Sequence, residues 1–273
     1  MIPFIPRPAR SVENDYRIAR RHRQRMAAVT LTSLEPVIMG AYCRYEQLGG
    51  SPATVKPLQL DIAASKALDS NYPLTYKSRP LNDLRSDLLT GAIHGLCPYC
   101  GREQATDLDH FLPKSNYPEF SILAWNLVPV CKTCNDLKRD FESRRGAHFL
   151  HPYFLAEITE PILVSKIDDK GGISASFKVN DCLPRRIAHC AQVQFSRLAL
   201  SEKYSAAAAV ELTECAEEFE KAYDWNGRDE VAGDALRKAK YLRSTFGLHY
   251  WKAALYEAIG CSDMFCGGGF KRI

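Results

Sequence analysis

The chain has 273 residues, 46% hydrophobic and 25% charged, a balance that excludes a largely disordered protein and suits one or two packed domains. Its net charge is only +4, so no field of a single sign surrounds the whole molecule. No apolar run approaches the ~20 residues of a membrane span, and the opening MIPFIPRPARS lacks the uninterrupted apolar core of a signal peptide, so a cytoplasmic protein that does not enter a membrane is expected.

The charge is unevenly placed. Residues 7 to 25 carry seven arginines against Glu13 and Asp15, a local excess of +5 that is larger than that of the whole chain. Arg17, Arg20 and Arg21 lie at its centre and are candidates for phosphate contacts, because guanidinium groups pair bidentately with phosphate oxygens. A solvated helix face, or a helix that docks on an acidic partner, would give the same pattern. Two helices are expected next, from Ser33 to Gln47 and from Leu58 to Leu68, separated by the turn-forming GGSPAT. A third, from Leu81 to Ile93, is expected to stop at Gly95.

The stretch from Cys97 to Lys138 is the most informative. Cys97 and Cys100 form one CxxC pair, Cys131 and Cys134 a second, and about 30 residues lie between the pairs. Two chelating thiolate pairs at this separation are the pattern of a tetrahedral structural zinc site, which clips together a segment too short to build its own core. The other cysteines are scattered, as thiols in a reducing compartment would be. Between the pairs, DLDHFLP alternates like a strand, KSNYPEFS is a turn-rich loop, and NLVPVC is a second short strand. From Cys131 to about Arg145 the residues are good helix formers, so the expected order is strand, loop, strand, helix.

Asp109-His110, Asn126, the run Cys131-Lys132-Thr133-Cys134-Asn135, and Lys138 together resemble the HNH endonucleases, the ββα-metal nucleases, in their CxxC-bearing branch. The resemblance covers residues 97 to 138 and departs from the family pattern at Asn135, where a histidine is commoner, so an HNN variant is implied. It implies hydrolysis of DNA phosphodiester bonds. His110 is then the general base, because its ordinary pKa lies near working pH. Asp109 and Asn135 would hold one hydrated Mg2+ or Mn2+ through hard oxygens. Asn126 would fix the loop and so aim His110, and Lys138, one turn beyond Asn135, would neutralise a phosphate from the helix face. Together with HPYF at residues 151 to 154, the stretch also resembles the PtuB-like nuclease subunits of bacterial phage-defence systems, Septu and some retrons, in which the nuclease partners an ATPase. This chain has no GxxxxGK[ST] loop, so nucleotide use would come from such a partner. Two readings from other classes stay open: a zinc-knuckle module that binds nucleic acid without cutting it, and a structural adaptor of a larger complex.

His148 and His151 follow, with a role in anchoring the chain as it leaves the core. ILVSKI and ISASFKV flank DDKGG and form a β-hairpin. From Pro184 onward the apolar spacing is helical, in three stretches: Ile187 to Leu198, Leu212 to Tyr223, and Ala239 to Ala253. The expected architecture is α+β and mainly helical: a basic arm and helical lead-in over residues 1–95, a zinc-clipped ββα-metal core over 96–154, and a hairpin with a helical region over 155–273. The last region offers apolar stripes for a partner protein.

Overall fold

A computed structural model describes residues 4–141, 148–155 and 158–273. These fall into two compact units, residues 4–155 and 158–273, and the chain is α+β and mainly helical.

In the first unit, α1 (Val12–Arg21) starts where the Ser11 hydroxyl accepts from the Asn14 amide at 3.1 Å. Glu13 and Asp15 lie in its first turn and Arg20 and Arg21 in its last, each charge opposing the nearer pole of the helix dipole. α2 (Arg25–Gln47) begins well before the expected Ser33. Ser33 is not a cap: its hydroxyl turns back onto the Thr30 carbonyl at 2.8 Å, inside the helix. By length and composition α2 is long and apolar enough to cross a membrane, which corrects the sequence reading. One stripe of it, Leu31, Ile38, Tyr42 and Tyr45, is buried within the unit. α3 (Ile62–Asp69) starts later than expected because Asp61 caps it, its carboxylate accepting from the Ala64 amide at 2.7 Å. α4 (Asn82–Thr90) buries Leu84 and Leu88.

β1 (Asp107–His110) pairs antiparallel with β2 (Leu127–Val130), Asp107 opposite Val130 and His110 opposite Leu127. Directly after β2, α5 (Lys132–Lys138) opens with Cys131 as its cap, the Sγ accepting from the Cys134 amide at 3.4 Å. It ends at Arg139, whose φ of 49° leaves the helical region. The continuation expected as far as Arg145 runs into residues 142–147, which lie outside the described residues.

In the second unit, β3 (Leu163–Asp168) and β4 (Ser174–Val179) form the expected antiparallel hairpin. Gly171 and Gly172 take the positive φ of its turn, 80° and 129°. α6 (Arg185–Arg197), α7 (Leu200–Glu214), α8 (Ala216–Phe246), α9 (Trp251–Gly260) and the short α10 (Asp263–Cys266) complete it. Two expected stripes are interrupted. The one from Leu212 to Tyr223 breaks at Cys215, between α7 and α8, and the one from Ala239 to Ala253 breaks at Gly247, with φ 91°. α8 itself breaks at Asn226 and Gly227, where a positive φ of 65° at Gly227 interrupts the helix.

His249 is buried between α8 and α9, and its Nδ1 accepts from the Ile162 amide at 3.1 Å. Burial pushes its pKa down to about 4. The imidazole is therefore neutral when folded, while in the unfolded chain it binds a proton below about pH 6.5. Stability contributed by His249 should accordingly be complete above pH 6.5 and fall as the pH drops toward 4, by about 3 kcal/mol in all. In His249→Asn, whose Oδ1 can accept the same bond, denaturant unfolding at a series of pH values should show that much less acid loss; an unchanged profile would remove His249 from the account.

Candidate functional site

Cys97, Cys100, Cys131 and Cys134 are buried, with all four sulfurs within 4.8 Å of one another. The first pair is shaped by a tight knuckle in which Gly101, at φ 64°, donates its amide to the Cys97 carbonyl at 2.7 Å. The second pair is carried by the first turn of α5. Cys100 and Cys131 have their sulfurs 3.9 Å apart, far longer than the ~2.05 Å of a disulfide and close to the ~3.8 Å edge of a tetrahedron with metal–sulfur bonds of about 2.3 Å. Burial pushes the Cys97 thiol up, and a metal cation is what would let it share the space as a thiolate with three other sulfurs. The four cysteines thus form a cluster able to hold a metal such as zinc.

Beside the cluster lies a cleft of about 540 Å³, with Asp107, His110 and Asn135 in its wall. His110 is at the end of β1, and its Nε2 lies 2.9 Å from the Ser121 carbonyl oxygen. A carbonyl only accepts, so Nε2 carries the proton and Nδ1 keeps a free lone pair. Burial lowers the His110 pKa to about 4, so the ring stays neutral through the physiological range. Ser121 is itself held, its hydroxyl donating to the Leu68 carbonyl at 2.6 Å.

Asn126 is fully buried under the loop that follows β1. Its Nδ2 donates to the carbonyls of Leu112 at 3.0 Å and Phe120 at 3.2 Å, and its Oδ1 accepts from the Leu112 amide at 2.8 Å. Oδ1 also accepts from the Tyr45 hydroxyl at 3.0 Å. Behind Tyr45 stands His151, 2.9 Å away through Nε2, with its Nδ1 accepting from the Tyr153 amide at 3.2 Å. The HPYF segment is anchored into this buried network.

Other placements differ from the sequence expectations. Lys138 is not on an open helix face. It is 1% exposed, its Nζ donating to the His110 carbonyl at 2.9 Å and pairing with Asp109 at 2.9 Å. Asp109 also accepts from the Tyr99 hydroxyl at 2.8 Å. Burial pushes its carboxyl up against the opposing pull of Lys138 and Tyr99. The expected metal ligand and the expected phosphate contact are thus partners in one buried ion pair. Removing one member of such a pair leaves an uncompensated buried charge and typically costs about 3–5 kcal/mol. Asn135 does not meet Asp109; its Nδ2 lies 3.5 Å from Asp107, two residues earlier on β1. Asp107 is one-third exposed, with Arg85 3.8 Å away.

The arginine segment is folded onto its own unit rather than extended. Arg7 pairs with Glu46 at 2.9 Å, Arg10 with Asp15 and Asp87, Arg20 with Glu35, and Arg23 bonds Asn71 at 2.9 Å. Arg17 and Arg21 stay exposed, but neither they nor Arg20 line the cleft. Among the described residues its cations are Lys77, Arg85, Lys114 and Arg139. Sequence reasoning passed over Tyr72, Tyr76, Lys77 and Arg85; for the first three the aromatic and basic interleaving of YPLTYKSR was the available signal, and Arg85 lies beyond that run on α4.

No protein-family model matches the chain, and no solved structure matches it. Among curated proteins it is similar to Protein ea31 of Escherichia phage lambda, at 36% identity over 85 residues. That match covers 30% of this chain and 28% of ea31, so the similarity spans little more than a quarter of that relative.

Proposed function

We propose that this chain is a divalent-metal-dependent endonuclease of HNH type, hydrolysing phosphodiester bonds in DNA, with zinc in the four-cysteine cluster holding a ββα-metal core. The observation that carries the reading is His110 at the cleft wall, with Nε2–H committed to the Ser121 carbonyl and Nδ1 left as a base. A water attacks phosphorus, His110 Nδ1 takes its proton, and the bond to the leaving oxygen breaks. Lys114, which pairs with Asp69 at 2.7 Å, and Arg85 border the same cleft, and their cationic groups would face the phosphate as charge builds on its oxygens. Lys138 acts one step back, holding Asp109 and the carbonyl of His110 and so fixing the end of β1.

The donor set fits a hard divalent ion. Asp107 is partly exposed at the cleft and in contact with Asn135, and two oxygen donors completed by water suit Mg2+ or Mn2+. Asp109 fits less well, because a buried ammonium group neutralises it. When bound, the ion would polarise the phosphate and relieve the leaving oxygen. Service in a phage-defence complex with an ATPase partner remains part of the proposal and rests on the sequence resemblance alone.

Incubating the full chain with supercoiled plasmid and Mg2+ or Mn2+ tests the reading. Nicking that needs the divalent ion, and an Asp107→Ala variant that needs several-fold more Mn2+ while remaining folded, would support it. The four-cysteine cluster alone would equally serve a zinc module that binds without cutting; retarded but intact plasmid under every metal condition would select that reading.

A further inference from the structure

The rim of the cleft is built by a segment outside the HNH-like motif. Residues 72 to 81 form a closed loop between α3 and α4, its base tied by the Leu81 amide donating to the Leu74 carbonyl at 2.9 Å. Leu74 and Thr75 are buried, and the Thr75 hydroxyl returns to the Tyr72 carbonyl at 2.8 Å. The Tyr72 hydroxyl donates to the Leu108 carbonyl at 3.1 Å, so the loop is fastened to β1 itself. Its tip turns at Ser78, a non-glycine residue at φ 63°, closed by the Arg79 amide on the Tyr76 carbonyl at 3.0 Å. The base of the loop is thus held by buried residues and by β1, while its tip, residues 76 to 80, is exposed.

What it presents is an aromatic and a cation. The Tyr72 ring stands edge-on to His110, centroids 4.5 Å apart, and Tyr76 stands edge-on to Tyr72 at 5.6 Å. Tyr76 is thus one ring removed from the proposed base, yet 48% exposed at the cleft. Lys77 beside it makes no ion pair among the described residues. On the far side, Lys114 and Asp140 border both this cleft and a second one of about 570 Å³ that also reaches Lys66. The two clefts thus share a border at Lys114, which pairs with Asp69 at 2.7 Å, and Asp140, with Tyr76 and Lys77 in the wall of the first and Lys66 in that of the second.

We infer that Tyr76 and Lys77 form a binding subsite for an unpaired DNA strand, in which the Tyr76 ring stacks on a nucleobase next to the phosphate at His110 and Lys77 meets the adjoining phosphate. The inference rests on the proposed nuclease reading for its substrate class. In a duplex the faces of the bases are covered by their neighbours, so a rim tyrosine finds a face to stack on only where the strand is single or frayed. Stacking is indifferent to base identity, so the subsite selects strand state and not sequence.

The test measures the binding of fluorescein-labelled oligothymidine, free and annealed to oligoadenosine, by full-length His110→Ala protein without added divalent metal. The single strand should bind more tightly than the duplex. Tyr76→Ala in that background should weaken single-strand binding by about 5- to 150-fold, and Tyr76→Trp should restore it. Lys77→Ala should lower the slope of log affinity against log salt by about 0.7, the value for one phosphate contact on a single strand. Equal affinity for duplex and single strand, binding of neither, or a Tyr76→Ala protein that binds unchanged would overturn the inference, as would a Trp variant that is folded by circular dichroism yet as weak as Ala. The two readings fail separately: Tyr76-dependent binding with no plasmid nicking by the wild type would sink only the hydrolysis, and nicking with no role for Tyr76 would sink only the subsite.

Discussion

Replacing His110 with alanine is expected to lower the rate of metal-dependent DNA cleavage by about 10²- to 10⁴-fold or more, the usual contribution of a positioned general base, while DNA binding persists. The expectation follows from the tautomer. With Nε2–H held by the Ser121 carbonyl, the other nitrogen is an acceptor, and among the described residues no second imidazole borders the cleft to take over the proton. Cleavage and binding separate because the described cations of the cleft come from other elements: Lys77 from the loop at 72–81, Arg85 from α4, Lys114 from the loop after β1, and Arg139 from the end of α5. The variant's unfolding midpoint belongs in the same experiment, since the His110 ring also packs on Tyr72. A folded His110→Ala protein that cuts at the wild-type rate would end the proposed mechanism.

Cys131→Ser is expected to abolish stoichiometric zinc and to unfold the segment from Cys97 to Lys138. Cys131 serves twice, as one corner of the four-sulfur cluster and as the cap of α5, where its Sγ accepts from the Cys134 amide. Zinc held by such a site contributes about 10–16 kcal/mol of apparent binding free energy in small zinc domains, as large as the about 5–15 kcal/mol by which whole domains are stable. A two-stranded sheet of four-residue strands and a seven-residue helix have little local stability to replace it. Elemental analysis of the purified wild type should give one zinc per chain, and limited proteolysis of the variant should cut between residues 97 and 138. Well-folded wild-type protein free of zinc, or a variant with full metal and full protection, would show that the cluster does not clip the core.

The part of this site that could be read in the sequence is the part made of local contacts. Two CxxC pairs chelate within a few residues each, and the spacing from Cys97 to Asn135 fixes strand, loop, strand and helix before any distant packing is known. The coarse class, α+β and mainly helical, was legible for the same reason, as was the hairpin around Gly171 and Gly172. Lys138 was misread because a lysine one turn beyond Asn135 has the same sequence signature whether it faces solvent or Asp109; burial against β1 decided it. Asp107 was overlooked beside Asp109 because alternation along a strand says that the two share a face, and not which of them a lysine will neutralise. Tyr72, Tyr76, Lys77 and Arg85 reach the cleft only through the packing of α4 and its preceding loop on β1, and that packing has no local code. The arginine segment was legible as basic, but its acidic partners, such as Glu35, Glu46 and Asp87, lie too far along the chain for local charge counting to pair them.

The hydrogen bonds around Asn126 bear on the order in which the chain assembles as it leaves the ribosome. Tyr45 is made early, but its hydroxyl partners lie 81 residues later at Asn126 and 106 residues later at His151. Until residue 126 has been synthesised the loop at Leu112 and the Tyr45 hydroxyl lack their shared partner, and until residue 151 the Tyr45 hydroxyl lacks its second. Closing contacts across such separations is slow compared with forming local helices, so α1 to α4 would form first and wait. A nascent or truncated chain ending before His151 would carry all four cysteines and Asn126 with its loop bonds, but would leave the Tyr45 hydroxyl without the imidazole that completes the buried network.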